Sequence, residues 1–254
     1  MTEKLGEFYN WLHTQPEQAP ALAVGEVHVW QCMLKLNPQQ HELALTFLND
    51  TQRDKYARRA TRELKHAYLA GRYFLMTLLA KYSGIAPQEL MLSYSRLNKP
   101  YLNPNPLDLE FNFTDTMQNG ENIGLFAFAR NVAVGVDIEC LERQSNAAAI
   151  VNRRFSDAEK DYVTNPEGDI NQQRFLAYWT RKEAYGKAAG KGINFTMRDI
   201  DLASPGDYCL NFSTPENDYR LQQIQLSERL IASLVHEGHR KLAIRAFSSA
   251  AHMP

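Results

Sequence analysis

Two acidic residues separated by one position, Asp137 and Glu139, follow the apolar segment 132–136. On a β-strand, residues two apart project from the same face, so the two carboxylates and Gly135 would share one face. Two carboxylates this close repel each other unless a cation lies between them. Mg²⁺ accepts one or two protein carboxylates together with phosphate oxygens. An isolated pair of this kind is also typical of a solvated strand end, so the pair by itself leaves both interpretations open.

A second group of candidate residues lies in the segment 179–187, which has a helical pattern. Glu183 and Lys187 are four residues apart and therefore lie on one face of a helix. Taken alone, the pair is typical of a surface ion pair that contributes about 0.3–0.5 kcal/mol. The same helix would also supply the third carboxylate and the ammonium group that a site for magnesium and phosphate needs.

The third element is a basic stretch, which consists of Arg53, Lys55, Arg58, Arg59, Arg62, Lys65 and Arg72. A run of charges usually forms a solvated face. Arginine can also hold a phosphate through its two-pronged guanidinium group. The stretch is therefore a candidate anion site whose use depends on the rest of the sequence.

Taken together, these segments resemble the Sfp-type 4′-phosphopantetheinyl transferases. That family has a G-[IV]-D-[IV]-E strand and, some forty residues later, W-[ST]-x-K-E-[SA]-x-x-K; residues 135–139 and 179–187 contain both patterns in full. Residues 154–159 resemble the family's R-F-[FS]-x-x-E segment. Residues 98–101 are similar to the family's G-[KR]-P-x turn, with Asn in place of Gly. Residues 111–115 match the family's F-N-x-S-H segment at the Phe and Asn positions, and they have Thr where that segment has Ser. The resemblance extends from about residue 27 to about residue 200.

The resemblance implies an α+β fold of two pseudo-twofold-related halves with the active site between them. Residues 1–130 would form the half that contacts the phosphate and adenine of coenzyme A, and residues 131–254 the half with the magnesium site and the carrier-protein contacts. The implied reaction is Mg²⁺-dependent transfer of 4′-phosphopantetheine from coenzyme A to a serine of an apo acyl or peptidyl carrier protein, which releases 3′,5′-ADP. A non-catalytic homologue that binds coenzyme A or the carrier protein is the alternative.

The resemblance also implies roles for single residues. It gives three Mg²⁺ ligands, Asp137, Glu139 and Glu183. Asp137 and Glu183 would also be catalytic residues. Lys187 would stabilise the leaving phosphate, with Lys182 as an addition. Glu183 is the first choice for the group that accepts the serine proton, and Glu159 is the second.

Further residues would contact coenzyme A. Lys99 and Pro100 would line the adenine side, and Arg53, Arg58 and Arg72 are candidates for its 3′-phosphate. Asp115 stands where the family usually has a histidine that contacts coenzyme A phosphate. Because a carboxylate repels phosphate, we expect Asp115 to turn away from coenzyme A or to pair with an arginine of the basic stretch. Thr114 and basic side chains would then hold the phosphate.

The segment 147–162 is a candidate surface for the carrier protein, which is acidic and helical in most systems. Ile150, Val151 and Phe155 would be apolar anchors beside Arg153 and Arg154. An amphipathic helix packed on the core fits the same pattern, so both interpretations stay open.

Hydrophobic periodicity predicts the elements that must position these residues. Helices are predicted after Pro38, over 64–81 until Gly84, around Ile150 to Tyr162 and over 172–189. Strands are predicted at 27–36, 92–97, 109–113, 123–129 and 132–139, with a turn at Asn119–Gly120 and short strands in the last 60 residues. The segment 1–25 is predicted to form a short amphipathic helix with Phe8, Trp11 and Leu12, followed by a loop.

Composition limits the class of protein. The chain has 254 residues, 44% hydrophobic and 22% charged, which is typical of a globular protein. Its net charge of −1 argues against a general nucleic-acid coat or a polybasic membrane binder. The three cysteines form no CxxC pair, and no apolar run suggests a signal peptide or a membrane span. We therefore expect a cytoplasmic protein and, since both halves lie in one chain, a monomer.

Overall fold

The computed structural model describes residues 4–191 and 197–249. The helices of this part are α1 (Pro38–Thr46), α2 (Asp50–Ala57), α3 (Arg62–Ser83), α4 (Ala147–Arg154), α5 (Asp157–Val163) and α6 (Gln172–Ala188). Its strands are β1 (Glu7–Phe8), β2 (Leu12–His13), β3 (Glu26–Met33), β4 (Leu92–Tyr94), β5 (Pro100–Leu102), β6 (Leu109–Gln118), β7 (Glu121–Arg130), β8 (Val134–Cys140), β9 (Cys209–Ser213), β10 (Asp218–Gln225), β11 (Leu230–Glu237) and β12 (Ala243–Ser248). The mixture of helices and sheets confirms the predicted α+β class.

Two five-stranded sheets form the centre of the molecule. One has the order β2-β12-β3-β7-β6, and the other has the order β1-β10-β11-β8 with β9 also paired to β10. The strands nearest the two ends of the chain are exchanged between the sheets. β1 pairs in parallel with β10, and β12 pairs in parallel with β3. The division into halves at residues 130 and 131, and their pseudo-twofold relationship, stay predictions.

The long helix α3 illustrates how local sequence sets the bounds of an element. The Thr61 side chain accepts a hydrogen bond from the Leu64 amide at the N-terminus. Gly84 ends the helix in the left-handed conformation, with φ of 74°, which glycine adopts at low cost. One face of α3 is buried in the same core cluster as Trp30 of β3 and Phe126 of β7. The helix thereby covers the sheet that contains β6 and sets the position of the basic stretch beside it.

The helix α6 covers the second sheet. Phe175, Leu176 and Tyr178 pack in a core with Ile231 of β11, and Ala184 and Tyr185 pack with Val235. This face repeats every three to four residues, as predicted for an amphipathic helix. The observed range Gln172–Ala188 agrees with the prediction for 172–189.

One local prediction differs from the structure. The described part of residues 1–25 contains the strands β1 and β2 and a 3₁₀ turn at Pro16–Gln18, so the predicted amphipathic helix is wrong. The reason is that sheet edges more than 200 residues away along the chain pair with these short segments. The basic segment 49–59 contains α2, and β5 pairs with β4 to form a small hairpin. Within the described ranges, every helix is too short or too polar to cross a membrane.

Candidate active site

The site begins where the edge strands of the two large sheets, β6 and β8, lie side by side. The Asn112 side-chain oxygen accepts a hydrogen bond from the Val136 amide at 3.0 Å, and Thr116 Oγ1 accepts one from the Cys140 amide at 3.3 Å. These polar side chains of β6 satisfy backbone donors on the edge of β8. They thereby fix the position of β8 relative to the first sheet.

A third contact between these strands reaches a predicted site residue. Thr114 Oγ1 donates a hydrogen bond to Asp137 Oδ1 at 3.1 Å. Thr114 alternates with Asp115 along β6, so the two side chains leave opposite faces of the strand. The structure therefore places Thr114 against the carboxylate of Asp137 and Asp115 on the other face.

The carboxylates of Asp137 and Glu139 are both buried on β8. Lys187 Nζ lies 2.6 Å from Asp137 Oδ1 and donates a second hydrogen bond to the Val136 carbonyl oxygen at 3.1 Å. Arg143, four residues after Glu139, forms an ion pair with the Glu139 carboxylate. The second oxygen of Asp137, Oδ2, is buried, and no hydrogen-bond partner is found for it among the residues that the structure describes.

The pKa values of Glu139 and Glu183 are both raised, by burial and by repulsion from Asp137. Burial raises the pKa of Glu139 to about 7, and the charge of Asp137 adds to this against Arg143 and Lys187. Burial and the charge of Asp137 also raise the pKa of Glu183, which Lys187 and Arg154 partly oppose. Burial and the charge of Asp137 therefore both disfavour ionisation of Glu139 and Glu183.

In the described part of the chain, no group of three or more histidine, cysteine, aspartate or glutamate side chains is arranged to hold a metal ion. The donor chemistry nevertheless fits a hard cation such as Mg²⁺, because carboxylate oxygens are its preferred protein ligands. The buried oxygen Asp137 Oδ2 has no hydrogen-bond partner among the described residues, and the charge of Asp137 adds to burial in raising the pKa values of Glu139 and Glu183.

A cavity of about 190 Å³ lies beside these carboxylates. It is lined by Lys99 and Pro100 from the hairpin and by Glu183 and Lys187 from α6. Lys99 Nζ donates a hydrogen bond to the Ala188 carbonyl oxygen at 3.1 Å, which ties the hairpin to the end of α6. Two sequence segments more than 80 residues apart, both singled out from the sequence, thus form one cavity.

A second cavity, of about 260 Å³, lies between α3 and β6. Its lining includes Arg59, Arg72 and Asp115, with the Tyr68 ring between the two arginines. The guanidinium carbons of Arg59 and Arg72 lie 5.1 and 5.5 Å from the centre of that ring. Partial burial raises the pKa of Asp115, whereas the charges of Lys187 and Arg59 lower it. The Asp115 side chain therefore lines the same cavity as two arginines of the basic stretch but forms no direct ion pair with a described arginine, and its orientation relative to coenzyme A stays a prediction.

Not all of the predicted phosphate residues reach this cavity. Of the three predicted arginines, Arg72 alone lines it among the described residues. Arg53 Nε donates a hydrogen bond to the Leu48 carbonyl oxygen, and Arg58 is the exposed C-terminal cap of α2. Arg59 lines the cavity although we gave it no role from the sequence; its place in the basic stretch was the only available signal.

Glu159 and Lys182 lie elsewhere, in a fully buried ion pair with 2.8 Å between Glu159 Oε2 and Lys182 Nζ. Lys182 Nζ also donates hydrogen bonds to the carbonyl oxygens of Met197 and Ile200, both at 2.7 Å. Glu159 accepts one from the Leu202 amide. The structure therefore does not bring Glu159 and Lys182 into the cavity with Glu183, and their contacts hold the segment 197–202 in place.

The predicted carrier-protein surface needs a correction. Val151 and Phe155 are buried in the core beneath α4, where the Phe155 ring stacks on Phe175 of α6. Their use as exposed docking anchors is therefore wrong, and the alternative of an amphipathic helix packed on the core holds for them. Arg153 remains exposed on the same helix.

Comparison with known proteins supports the family resemblance. A family model described as the 4′-phosphopantetheinyl transferase superfamily matches residues 133–238, which include β8, α6 and β11. The chain is 29% identical over 200 residues to the 4′-phosphopantetheinyl transferase HetI of Nostoc sp. (77% of this chain, 80% of that protein). It is 30% identical over 141 residues to a putative 4′-phosphopantetheinyl transferase of Synechocystis sp., a match that spans 54% of each chain. It is 22% identical over 182 residues to the 4′-phosphopantetheinyl transferase Sfp of Bacillus subtilis (72% and 78%). Asp137, Glu139, Glu183 and Lys187 all lie inside the matched region, so residues 133–238 resemble a 4′-phosphopantetheinyl transferase superfamily domain.

Proposed function

We propose that this protein transfers 4′-phosphopantetheine from coenzyme A to a serine of an apo carrier protein in an Mg²⁺-dependent reaction that releases 3′,5′-ADP. The observation that carries the proposal is the cavity lined by Glu183 and Lys187 of α6 and by Lys99 and Pro100 of the hairpin. Lys187 also forms an ion pair with Asp137 of β8. Lysines supply positive charge for a diphosphate, and carboxylates supply ligands for a cation.

Asp137, Glu139 and Glu183 are the residues that would hold Mg²⁺. The unpartnered Asp137 Oδ2 and the raised pKa of Glu139 support this assignment. When bound, Mg²⁺ would neutralise charge on the diphosphate of coenzyme A. The protein's own contribution is to hold the carboxylates on a rigid strand and Glu183 on a rigid helix.

In the proposed step, the serine oxygen attacks the phosphorus next to the pantetheine arm. A new P–O bond forms to the serine, and the diphosphate P–O bond breaks, so that 3′,5′-ADP leaves with the bridging oxygen. The serine proton passes to Glu183, directly or through water. Lys187 would stabilise the negative charge that develops on the leaving phosphate.

Mass spectrometry of apo carrier proteins tests this function directly. Apo acyl and peptidyl carrier proteins would be incubated with the protein, coenzyme A and Mg²⁺. We expect a mass gain of one phosphopantetheine on the serine-containing protein and none when that serine is replaced by alanine. Binding of coenzyme A without any mass gain across the panel would contradict transfer and favour the non-catalytic alternative.

We further propose that the protein works as a monomer, because both edge strands that form the site come from one chain. Sedimentation velocity at assay concentration, combined with activity across the separated fractions, tests this. Activity confined to a larger species would contradict it.

A further inference from the structure

Each of the two neighbouring carboxylates on β8 already has a cationic partner from the chain itself. Lys187 Nζ lies 2.6 Å from Asp137 Oδ1, and Arg143 forms an ion pair with Glu139. These contacts use one oxygen of each carboxylate.

We propose that Lys187 and Arg143 are built-in counterions that a divalent cation must displace, and that this exchange makes metal binding and coenzyme A binding cooperative. The inference rests on the metal site of the proposed function and deepens it. It gives Arg143, which no motif singled out, a role in controlling access to Glu139.

The first step of the argument is the cost of unpaired charge. Asp137 and Glu139 are each only 6% exposed, so without partners their charges would be strongly unfavourable. A lysine and an arginine remove that cost in the metal-free protein. The same contacts compete with an incoming cation for the carboxylate oxygens, which lowers the affinity for metal alone.

The second step is that both counterions are able to leave. The Arg143 side chain is 51% exposed and that of Lys187 is 27% exposed. Lys187 also lines the 190 Å³ cavity, so its ammonium can turn from Asp137 toward a diphosphate in that cavity. A long lysine side chain has the rotatable bonds for such a movement.

The third step follows from linkage. Displacing Lys187 from Asp137 is unfavourable when no anion receives it and less unfavourable when a diphosphate does. Coenzyme A should therefore raise the affinity for Mg²⁺, and Mg²⁺ must raise the affinity for coenzyme A by the same factor. No carrier protein is needed for this effect, so it is measurable without turnover.

Isothermal titration of Mg²⁺ into the full chain, with and without coenzyme A, tests the exchange. Arg143→Gln and Lys187→Met each remove one counterion while keeping much of the side chain. We expect either variant to bind Mg²⁺ alone about tenfold more tightly than the natural protein. The matched control is Lys191→Met, which removes a charge four residues after Lys187, where the ammonium pairs with Glu216. This control should change the Mg²⁺ affinity less than twofold.

Coupling provides the second readout. In the natural protein, coenzyme A should tighten Mg²⁺ binding about tenfold or more, and this factor should shrink in Lys187→Met. Mg²⁺ should also raise the Tm of Lys187→Met more than that of the natural protein, because the metal replaces the missing counterion on Asp137.

Unchanged or weaker Mg²⁺ affinity in both variants would overturn the counterion exchange, as would equal gains in the Lys191→Met control. Phosphopantetheine transfer by the natural protein is scored separately by mass. Transfer combined with unchanged Mg²⁺ affinities overturns this inference alone, whereas absence of transfer overturns the proposed function.

Discussion

Gly135 of β8 and Ala184 of α6 are in direct backbone contact: a Cβ placed on Gly135 would lie 2.2 Å from the Ala184 carbonyl oxygen. The same Cβ would lie 2.3 Å from the Ala188 amide nitrogen. This close approach brings the strand that carries Asp137 within hydrogen-bond distance of Lys187 on the helix. The glycine of the G-[IV]-D-[IV]-E motif therefore sets the spacing between β8 and α6.

The first prediction is that Gly135→Ala damages both stability and activity. The methyl group meets backbone atoms, which cannot turn aside, so β8 and α6 must separate. We expect a loss of about 1–3 kcal/mol or more in the free energy of unfolding and a loss of most transfer activity. Urea unfolding and the carrier-protein assay measure the two effects.

Gly186→Ala is the matched control for stability, because its Cβ would meet only Met197 Cε at 3.7 Å. Alanine is the better helix former, so this variant should be as stable as the natural protein or more so. Equal stability of the two alanine variants would contradict the role given to Gly135.

The second prediction concerns Asp137. Asp137→Asn keeps the shape of the side chain but removes the charge that a cation and Lys187 both use. We expect transfer to fall by orders of magnitude while the circular dichroism spectrum stays unchanged. Asp157→Asn, at an exposed carboxylate paired with Lys160, is the control and should keep its activity. Near-normal turnover of Asp137→Asn, or full activity in excess EDTA, would refute the magnesium mechanism.

The elements that carry the site were predictable because their signals are local. The alternation in β8 and the helical spacing in α6 placed Asp137, Glu139, Glu183 and Lys187 on the correct faces. The contact of Thr114 with Asp137 was not predictable, because β6 and β8 belong to different sheets and meet only through tertiary packing.

The amphipathic pattern of α4 was not enough to predict what covers its apolar face. An apolar face indicates that something covers it, but the sequence does not say whether the cover is a partner or the core. For Val151 and Phe155 the cover is the core beneath α4. The pairing of Glu159 with Lys182 has the same explanation, since only the fold shows that both side chains turn inward to the segment 197–202.

The third prediction tests that inward placement. Lys182→Met leaves the Glu159 charge buried without its partner, so we expect a loss of about 3–5 kcal/mol in the free energy of unfolding. The double variant Glu159→Gln, Lys182→Met should be less destabilised than the sum of the single variants, because it leaves no unpaired charge. Urea unfolding of all three variants gives the interaction energy. Strict additivity would show that the two groups do not interact.

The fourth prediction concerns stability at acid pH. Burial lowers the pKa of His28 from 6.5 to about 4, against the charge of Glu26. Its Nδ1 lies 2.8 Å from the Tyr82 hydroxyl, which also accepts a hydrogen bond from Trp30 Nε1. Below pH 6.5, His28 binds a proton in the unfolded chain, whereas in the folded protein it stays neutral down to about pH 4. Stability is therefore lost as pH falls through this window, by about 3 kcal/mol in total.

Urea unfolding at pH 7, 6, 5 and 4.5 measures this loss. His28→Gln cannot titrate, so its free energy of unfolding should fall less steeply between pH 6.5 and 4. Identical slopes for the variant and the natural protein would show that His28 does not carry the effect.

The last prediction concerns Asp115, which stands where the family usually has histidine. It lies on the face of β6 opposite Thr114 and lines the cavity that contains Arg59 and Arg72. If a phosphate of coenzyme A binds in that cavity, Arg59 and Arg72 attract it. The Asp115 carboxylate repels the phosphate, but the positive charges of Lys187 and Arg59 offset this repulsion. Asp115→Ala should therefore leave the KM for coenzyme A within a few-fold, and Asp115→Asn should behave alike. Arg72→Ala removes attraction instead, so we expect its KM to rise about tenfold or more. Steady-state kinetics with coenzyme A varied at saturating carrier protein separates these outcomes.

A large fall in kcat for a folded Asp115→Ala would mean that the carboxylate itself takes part in the reaction. The charges of Asp137 and Lys187 both shift the pKa of Asp115. That result would therefore require a new assignment of the acid–base groups.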